Sequence, residues 1–290
     1  MKPSPWVLAA RPKTLSAAVA PVIVGTALAL RDRGAIPWIY AGLALAGAVL
    51  IQIATNYIND ALDFRRGADT SARLGPMRVT QAGLLTDRSV LRGAYVCLLL
   101  AALCGVPLIL RGGLPILLIG VASIAAAYAY TGGPYPLAYH GLGELFVMIF
   151  FGIVAVGGTY YVLTLDYGAD ALWCGVAIGS LAVVILAINN LRDLPTDGAS
   201  GKRTMAVRLG ERGARLEIVV FAVIPYVIIG TLAAVRPDPS LWLVFLSLPL
   251  ALTLVWRVHR CRGASLNRCL AMAGALQWAF AIFFAAGAAM

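Results

Sequence analysis

Two polar clusters, both rich in Asp and Asn, interrupt an otherwise apolar sequence of 290 residues. The first acidic cluster begins with NYINDALD at 56–63 and ends at Asp69. On a continuous helix, Asn56, Asp60 and Asp63 share one face, because they are spaced i, i+4 and i+7. Carboxylates so spaced repel one another unless a cation lies between them. Oxygen ligands alone favour a hard ion, Mg2+ or Ca2+, and Mg2+ commonly shares its coordination with substrate phosphates.

The second acidic cluster reads NNLRDLPTD at 189–197. Asp193 and Asp197 are again four residues apart, although the proline between them predicts a bend or an end of the helix. Lys202 and Arg203 follow a few residues later. Carboxylates next to basic residues suit a metal diphosphate, in which the acids bind the metal and the bases bind phosphate oxygens. The alternative is a solvated helix end, where acids and bases form surface pairs.

The two acidic clusters repeat one pattern. Asn56-x-x-x-Asp60 corresponds to Asn189-x-x-x-Asp193, and in each case another carboxylate and then a Gly-Ala pair follow. We interpret this as an ancient duplication that places two similar polar clusters face to face. Internal repeats of this kind are common in membrane proteins, transporters included.

The composition indicates which elements must position these clusters. Hydrophobic residues make up 61% of the chain and charged residues 12%, whereas soluble domains average about 45–50% apolar and about 25% charged residues. This excludes an ordinary soluble enzyme, a disordered chain and the usual module that binds nucleic acid. The sequence predicts a single all-α domain, 1–290, that crosses the lipid bilayer many times. Nine apolar stretches are candidate spans: 14–30, 36–57, 90–110, 114–131, 143–164, 171–190, 217–235, 240–256 and 266–288.

The basic residues predict how the chain is oriented in the membrane. The net charge is +10, and with nine spans 19 of the 23 Lys and Arg residues lie in alternate loops. Cytoplasmic loops of membrane proteins are enriched in Lys and Arg. The bias therefore predicts a cytoplasmic N-terminus, an outer C-terminus and both acidic clusters at cytoplasmic helix ends. A secondary transporter, the main alternative from another class, is expected to place its acids near the middle of the bilayer.

With these motifs the chain resembles the UbiA superfamily of intramembrane prenyltransferases, and within it the menaquinone branch that acts on 1,4-dihydroxy-2-naphthoate. The resemblance covers nearly the whole chain and rests on ARPKTL at 10–15, AVAP at 18–21, the stretch 56–69, RLGPMRVTQAG at 73–83, YTGGPYP at 130–136, GLGE at 141–144 and the stretch 189–210. The superfamily pattern NDxxDxxxD would place an acid at position 67, where this chain has Gly67 and then Asp69. That spacing is similar to the naphthoate branch. The Lys-containing motif typical of hydroxybenzoate-using relatives is absent after Tyr130, which disfavours the ubiquinone branch.

The resemblance implies nine helices around a central cavity, with Mg2+ and a polyprenyl diphosphate bound between the two acidic clusters. The implied metal ligands are Asn59, Asp60, Asp63, Asp193 and Asp197, and the four aspartates are also the implied catalytic residues. Candidates for binding the diphosphate are Asn56, Arg65, Lys202 and Arg203. Candidates for binding the aromatic substrate are Asp69, Arg73, Arg78, Tyr135, Tyr139, Glu144 and Asn189.

The reaction that the resemblance implies transfers a polyprenyl group from polyprenyl diphosphate to 1,4-dihydroxy-2-naphthoate. The carboxylate is lost, diphosphate is released and demethylmenaquinol is formed, at the cytoplasmic side of a bacterial inner membrane. A sister enzyme that uses another aromatic acceptor, or phytyl diphosphate, is the nearest alternative. Because the isoprenoid tail and the product both partition into the bilayer, we expect a side opening between helices.

Overall fold

The computed structural model describes residues 4–69, 74–236 and 238–290, and every regular element in these ranges is a helix. The α-helices are α1 (Pro5–Ala10), α2 (Ser16–Arg33), α3 (Trp38–Arg65), α4 (Asp87–Ala129), α5 (Gly143–Met148), α6 (Ala155–Thr164), α7 (Ala169–Ala199), α8 (Met205–Val235), α9 (Leu248–Arg260) and α10 (Leu266–Ala288). A π-helical segment, Ile149–Val154, joins α5 to α6, and a 3-10 segment, Pro239–Ser247, leads into α9. The predicted all-α architecture is confirmed.

The number of membrane spans differs from the sequence prediction when it is judged by helix length and composition. Seven helical segments of the described chain are long and apolar enough to cross a membrane. An eighth would be the pair Pro5–Thr14 and Ser16–Arg33, which is bent by 50°. The predicted count of nine is therefore not confirmed by this criterion.

The difference from nine arises largely at α4, a single run of 43 residues that covers the predicted span 90–110 and all but the last two residues of 114–131. Its regular geometry is broken at Gly113, whose φ of 66° and ψ of −149° lie outside the helical region. Glycine adopts a positive φ without the steric penalty that other residues meet. The break falls between the two predicted spans.

Contacts along α3 show that α4 folds back on itself. Arg65, at the C-terminal end of α3, pairs with the first residue of α4 at 2.6 Å. Thr131, two residues beyond the end of α4, donates a hydrogen bond to Asn59 near the same end of α3. In the middle of α4, Arg111 lies over the ring of Tyr40 near the N-terminal end of α3, 4.7 Å from the ring centroid. The two halves of α4 are thus a hairpin packed along α3.

Helix α7 is the centre of the bundle. In its most apolar stretch of 18 residues, 78% of the residues are buried inside the molecule, compared with 11–44% for the corresponding stretches of the other candidate spans. Glycines allow its backbone to approach the π-helical segment closely, since a Cβ atom added at Gly152 would lie only 2.5 Å from the carbonyl oxygen of Gly175. Small residues at such helix contacts are typical of membrane proteins, where dispersion contacts between helices replace the hydrophobic effect.

The two acidic clusters occupy equivalent positions in the fold. Each ends a long helix, α3 or α7, and in each case the next long helix begins with a threonine cap. The hydroxyl of Thr86 accepts a hydrogen bond from the backbone of Ser89 in α4, and Thr204 does the same for Val207 in α8. Such caps satisfy backbone N–H groups that have no partner within the helix. Residues that follow α3 and residues of α7 also line one small cleft, so both clusters lie at one end of the bundle, which we call the cluster end.

The opposite end of the bundle is tied together by ion pairs. Arg31 pairs with Asp32 at 3.0 Å and with Asp170 at 3.1 Å, and Arg236 reaches the same Asp170 at 2.8 Å. These contacts join the ends of α2, α7 and α8. Arg33 pairs with Asp166 in the same region. Arg31, Arg33 and Arg236, which lie at this end, therefore all pair with carboxylates.

Candidate active site

A central cavity of about 610 Å3 runs between α2, α3, α4, α7 and the α5–α6 segment. Its volume lies within the range of about 300–1,000 Å3 that is common for small-molecule sites. Most of its wall is apolar, and its polar residues come mainly from the cluster end: Asn56, Asn59, Asp63, Arg78, Asn189, Asn190 and Lys202. The predicted central cavity is present, and residues of both acidic clusters line it.

The first acidic cluster presents only part of its predicted face to the cavity. Asn56, Asn59 and Asp63 line the cavity. Asp60 instead faces the turn that follows the first cluster, where its carboxylate accepts hydrogen bonds from the backbone N–H groups of Val79, at 3.2 Å, and Thr80, at 3.0 Å. Asp60 is only 1% exposed. Its position at the edge of the helical face allows it to contact the turn, so it fixes backbone geometry next to the cavity.

Asp63 has partners from three different segments of the chain. It is 3% exposed, and its carboxylate accepts a hydrogen bond of 2.8 Å from the hydroxyl of Tyr139. Arg78 lies 3.4 Å and Lys202 3.5 Å from the other carboxylate oxygen. Arg78 is itself buried and also pairs with Asp69 at 3.0 Å. Two bases and one phenol therefore surround a carboxylate at the cluster end of the cavity.

Tyr139 occupies a polar environment between the two acidic clusters. Arg66 and Lys202 both lie over its ring, 5.0 Å and 4.9 Å from the centroid. Burial, followed by the charge of Asp63, raises the pKa of the Tyr139 phenol. The phenol therefore stays protonated at neutral pH and remains a hydrogen-bond donor to Asp63.

The second acidic cluster is organised by Arg192, which is 1% exposed. Its guanidinium donates to both carboxylate oxygens of Asp193, at 2.8 Å and 2.6 Å, and to the side-chain oxygen of Asn189 at 2.7 Å. It also donates to Asn267 of α10 at 2.9 Å. The expected end or bend of the helix at Pro195 is not an end, because α7 continues to Ala199.

A small polar cleft of about 40 Å3 adjoins the cavity between the two acidic clusters. It is lined by Ala68, Asp69, Arg78, Asn189, Asn190, Asp193, Thr196, Asp197 and Lys202. The cleft therefore brings three carboxylates and two bases together. Among the described residues, however, no group of three or more His, Cys, Asp or Glu side chains is arranged so that it could hold a metal ion by itself.

Several predicted site residues do not line the cavity. Arg65 is paired with Asp87 on the surface, and its side chain is 44% exposed. Arg203 is exposed, and only its backbone N–H contacts the site region, donating to the carbonyl of Tyr139 at 3.0 Å. Tyr135 is 57% exposed and stacks on the ring of His140. Arg73 lies outside the described residues.

Other residues line the cavity although the sequence did not single them out. Gln52, Tyr130 and Thr131 do so, as does Asn190 within the second acidic cluster. Asn190 donates a hydrogen bond of 2.8 Å to Glu144, one of the predicted candidates for the aromatic substrate, which also lines the cavity. The doubled asparagine at 189–190 was the available signal for this contact.

The cavity reaches the outer surface of the bundle along α4. Val106, Leu117 and Val121 line it, yet they are 50%, 40% and 60% exposed. Side chains that contact both the cavity and the surroundings mark a thin wall. This wall is apolar and belongs to α4, whose most apolar stretch of 18 residues is only 11% buried. The side opening expected from the sequence stays a prediction.

An apolar helical bundle with a cavity that ends between two acidic clusters suits a membrane protein that binds an apolar molecule with a charged end. The chain matches the UbiA prenyltransferase family over residues 18–287, and it belongs to this family.

Individual proteins and solved structures similar to this chain are known. The chain is 43% identical to 1,4-dihydroxy-2-naphthoate octaprenyltransferase of Mycobacterium tuberculosis, over 79% of this chain and 82% of that protein. It is 40% identical to the Escherichia coli protein of the same name, over 72% of this chain and 70% of that one. The solved structure of a UbiA homolog from Archaeoglobus fulgidus bound to DMAPP and Mg2+ superposes with a TM-score of 0.70 at 15% identity, covering 99% of this chain and 100% of that one. A UbiA homolog from Aeropyrum pernix gives 0.71 at 16% identity, covering 93% and 96%.

Proposed function

We propose that this protein transfers a polyprenyl group from polyprenyl diphosphate to 1,4-dihydroxy-2-naphthoate, with loss of the carboxylate and release of diphosphate, in menaquinone biosynthesis. The observation that carries the proposal is the cavity, whose apolar wall ends between two acidic clusters accompanied by bases. An isoprenoid chain suits the apolar wall, and its charged diphosphate suits the cluster end. Identity of 37–43% to naphthoate octaprenyltransferases favours this acceptor over those of sister enzymes.

The donor atoms at the cluster end fit Mg2+. Asn59 and Asp63 of the first acidic cluster and Asp193 and Asp197 of the second offer only oxygen ligands, which a hard cation prefers. Mg2+ usually takes one or two carboxylates and completes its coordination with water and substrate phosphates. When bound, Mg2+ neutralises charge on the diphosphate and so makes it a better leaving group.

The bases at the cluster end act on the diphosphate. Lys202 lines both the cavity and the polar cleft, and Arg78 lies beside it. We assign both to the phosphate oxygens, because a preorganised positive charge stabilises negative charge that develops on a leaving group. Arg65 and Arg203, which point away from the cavity, are not assigned this role. Asp60 is assigned to holding the turn at 79–80.

The apolar part of the cavity protects the reactive centre. As the C–O bond of the prenyl diphosphate breaks, positive charge develops on the allylic carbon. Phe146, Phe150 and Phe151 line the cavity, and aromatic faces stabilise a cation within about 6 Å. An apolar wall also excludes water that would otherwise react with the cation. The electron-rich ring of the acceptor is then the available nucleophile.

The site is proposed to face the cytoplasm of a bacterial cell, with nine crossings. Support comes from the charge bias and from the hairpin in α4, whose two halves each run the length of α3. The N-terminus would then be cytoplasmic and the C-terminus outside. The transporter alternative is not retained, because the chain belongs to a family of prenyltransferases.

A product assay on the purified protein in detergent tests the function. The reaction contains 1,4-dihydroxy-2-naphthoate and farnesyl diphosphate, with Mg2+ or with EDTA, and is run with wild type, Asp63→Asn and Asp193→Asn. Asp166→Asn is the matched control, since this exposed carboxylate lies at the opposite end of the bundle. We expect a prenylated, decarboxylated product that requires Mg2+ and both cluster aspartates but not Asp166.

Three other results would contradict the proposal. Product formation with 4-hydroxybenzoate or homogentisate but not with the naphthoate would assign the protein to a sister activity. Product with phytyl diphosphate but with no polyprenyl donor would change the donor class. Absence of product with every pair, from protein shown to be folded, would remove the transferase assignment.

A further inference from the structure

We infer that Glu144 binds the 4-hydroxyl group of the aromatic acceptor and thereby sets the orientation of its ring. This inference rests on the proposed function, since it names the contact that the second substrate makes. Glu144 lies at the start of α5, lines the central cavity and is 7% exposed.

The carboxylate of Glu144 is half satisfied. Its Oε1 atom accepts the 2.8 Å hydrogen bond from Asn190, which fixes the orientation of the group. Its Oε2 atom is buried and has no hydrogen-bond partner among the described residues. A buried polar atom without a partner is unfavourable, and most such atoms in proteins are satisfied. An unsatisfied oxygen on the wall of a substrate cavity is therefore placed to accept a hydrogen bond from a ligand.

The location of Glu144 separates it from the proposed metal ligands. Gly143, next to it, lies against Tyr130, and a Cβ atom added there would be 3.2 Å from the Tyr130 hydroxyl. Glu144 lines the cavity but not the adjoining polar cleft, which contains Asp193 and Asp197.

The charge of Glu144 indicates which ligand group it accepts. A carboxylate repels a diphosphate, and an isoprenoid chain offers it no hydrogen. The acceptor, in contrast, carries two phenolic hydroxyl groups. Its 1-hydroxyl is adjacent to its own carboxylate and is engaged by it, whereas the 4-hydroxyl is free to donate and lies farther from that negative charge. Glu144 thus selects the 4-hydroxyl, and the carboxylate edge of the ring is directed away from it.

A matched variant is available at a second glutamate, which lies close enough to Glu144 for their charges to interact. Glu217 of α8 also has a buried side-chain oxygen without a partner among the described residues, but it does not line the cavity. Glu144→Gln and Glu217→Gln therefore make the same chemical change, and only the first makes it on the cavity wall.

The experiment measures equilibrium binding of two fluorescent ligands to the full-length protein in detergent, without oxygen. The ligands are 1,4-dihydroxy-2-naphthoate and 1-hydroxy-2-naphthoate, which lacks the 4-hydroxyl. Loss of a hydrogen bond to a charged group predicts that Glu144→Gln binds the dihydroxy ligand about 10-fold to 100-fold more weakly than wild type. Glu217→Gln should bind as wild type does. The monohydroxy ligand should bind wild type and Glu144→Gln equally.

Two results would overturn the inference. One is unchanged binding of the dihydroxy ligand by Glu144→Gln, and the other is an equal loss for both ligands. If Glu144→Gln does not fold, wild type alone decides, because it must bind the monohydroxy ligand at least about 10-fold more weakly than the dihydroxy ligand. The product assay on wild type is run in parallel. If wild type forms product and Glu144→Gln binds the dihydroxy ligand as wild type does, only the role of Glu144 is contradicted. If wild type forms no product, the proposed function is contradicted and this inference with it.

Discussion

Arg192 donates hydrogen bonds to both carboxylate oxygens of its neighbour in sequence, Asp193, at 2.8 Å and 2.6 Å. Successive residues on a helix point about 100° apart, so the long arginine side chain must curl back to reach this carboxylate. The same guanidinium contacts Asn189 and Asn267. Asn267 in turn donates to the carbonyl of Leu74 at 2.9 Å. The pair therefore links the second acidic cluster to α10 and to the turn after the first cluster.

Replacing Arg192 by Ala should destabilise the protein strongly. The change leaves Asp193 without its arginine in a buried site, and breaking a buried pair in this way costs about 3–5 kcal/mol. The measurement is thermal unfolding of the purified protein in detergent. Arg33→Ala is the control, because its partner Asp166 is exposed. Its free energy of unfolding should fall by no more than about 1 kcal/mol. Equal effects of the two variants would show that the Arg192 network does not stabilise the fold.

Asp60→Asn and Asp63→Asn should fail in different ways. At Asp60 the new amide keeps one acceptor oxygen but presents an NH2 group to the other backbone N–H. The free energy of unfolding should therefore fall by about 1–3 kcal/mol. At Asp63 the change removes a cavity carboxylate. The measurement is the rise in melting temperature when Mg2+ and inorganic diphosphate are added, since a ligand that binds the folded state stabilises it. Asp60→Asn should retain this rise and Asp63→Asn should lose it, and the reverse pattern would make Asp60 the ligand.

Tyr139→Phe should weaken the reaction without unfolding the protein. The change removes the hydroxyl that donates to Asp63, and one hydrogen bond to a charged group corresponds to about a 10-fold loss in kcat/KM. Because the pKa of Tyr139 is raised, its hydroxyl stays protonated in mildly alkaline solution. The pH profiles of wild type and Tyr139→Phe should therefore have the same alkaline limb between about pH 7 and 9. An alkaline fall present only in wild type would show that the phenol ionises in this range.

Gly152→Ala should disturb the contact between the π-helical segment and α7. The new Cβ atom would lie 2.5 Å from the carbonyl oxygen of Gly175 and 2.9 Å from the Cα atom of Gly179. Overpacking of this kind costs about 1–3 kcal/mol, which thermal unfolding would detect. Gly157→Ala, in α6, is the matched control, because nothing lies within 4 Å of its added Cβ atom. A neutral Gly152→Ala would mean that the helices separate there at little cost.

Cysteine labelling in intact cells should report the orientation and the double crossing of α4. Arg33→Cys and Leu114→Cys introduce thiols at exposed positions on the end opposite the acidic clusters, and Ser200→Cys introduces one at the cluster end. A membrane-impermeant maleimide added from outside should label the first two variants. Ser200→Cys should react only after the membrane is permeabilised. Protection of Leu114→Cys in intact cells would contradict the proposed crossing at Gly113.

Much of the fold and the general place of the site follow from the sequence. Runs of apolar residues and scarce charge define membrane helices, because a spanning backbone must satisfy its hydrogen bonds internally. The helical period and the position of the acidic clusters after spans two and six placed both clusters at one end of the bundle. The residue types indicated an oxygen-rich site beside bases. These properties are local, so a single sequence contains them.

Only the tertiary structure decided what individual side chains contact. Asp60 and Asp63 are three residues apart on α3, yet Asp60 contacts the backbone at 79–80 and Asp63 contacts the hydroxyl of Tyr139. Arg65 belongs to the same segment but pairs on the surface with α4. Glu144 accepts a hydrogen bond from Asn190, 46 residues away. These contacts depend on the rotation of each helix about its own axis relative to its neighbours, and packing between helices sets that rotation. The sequence of one helix determines only which of its residues share a face.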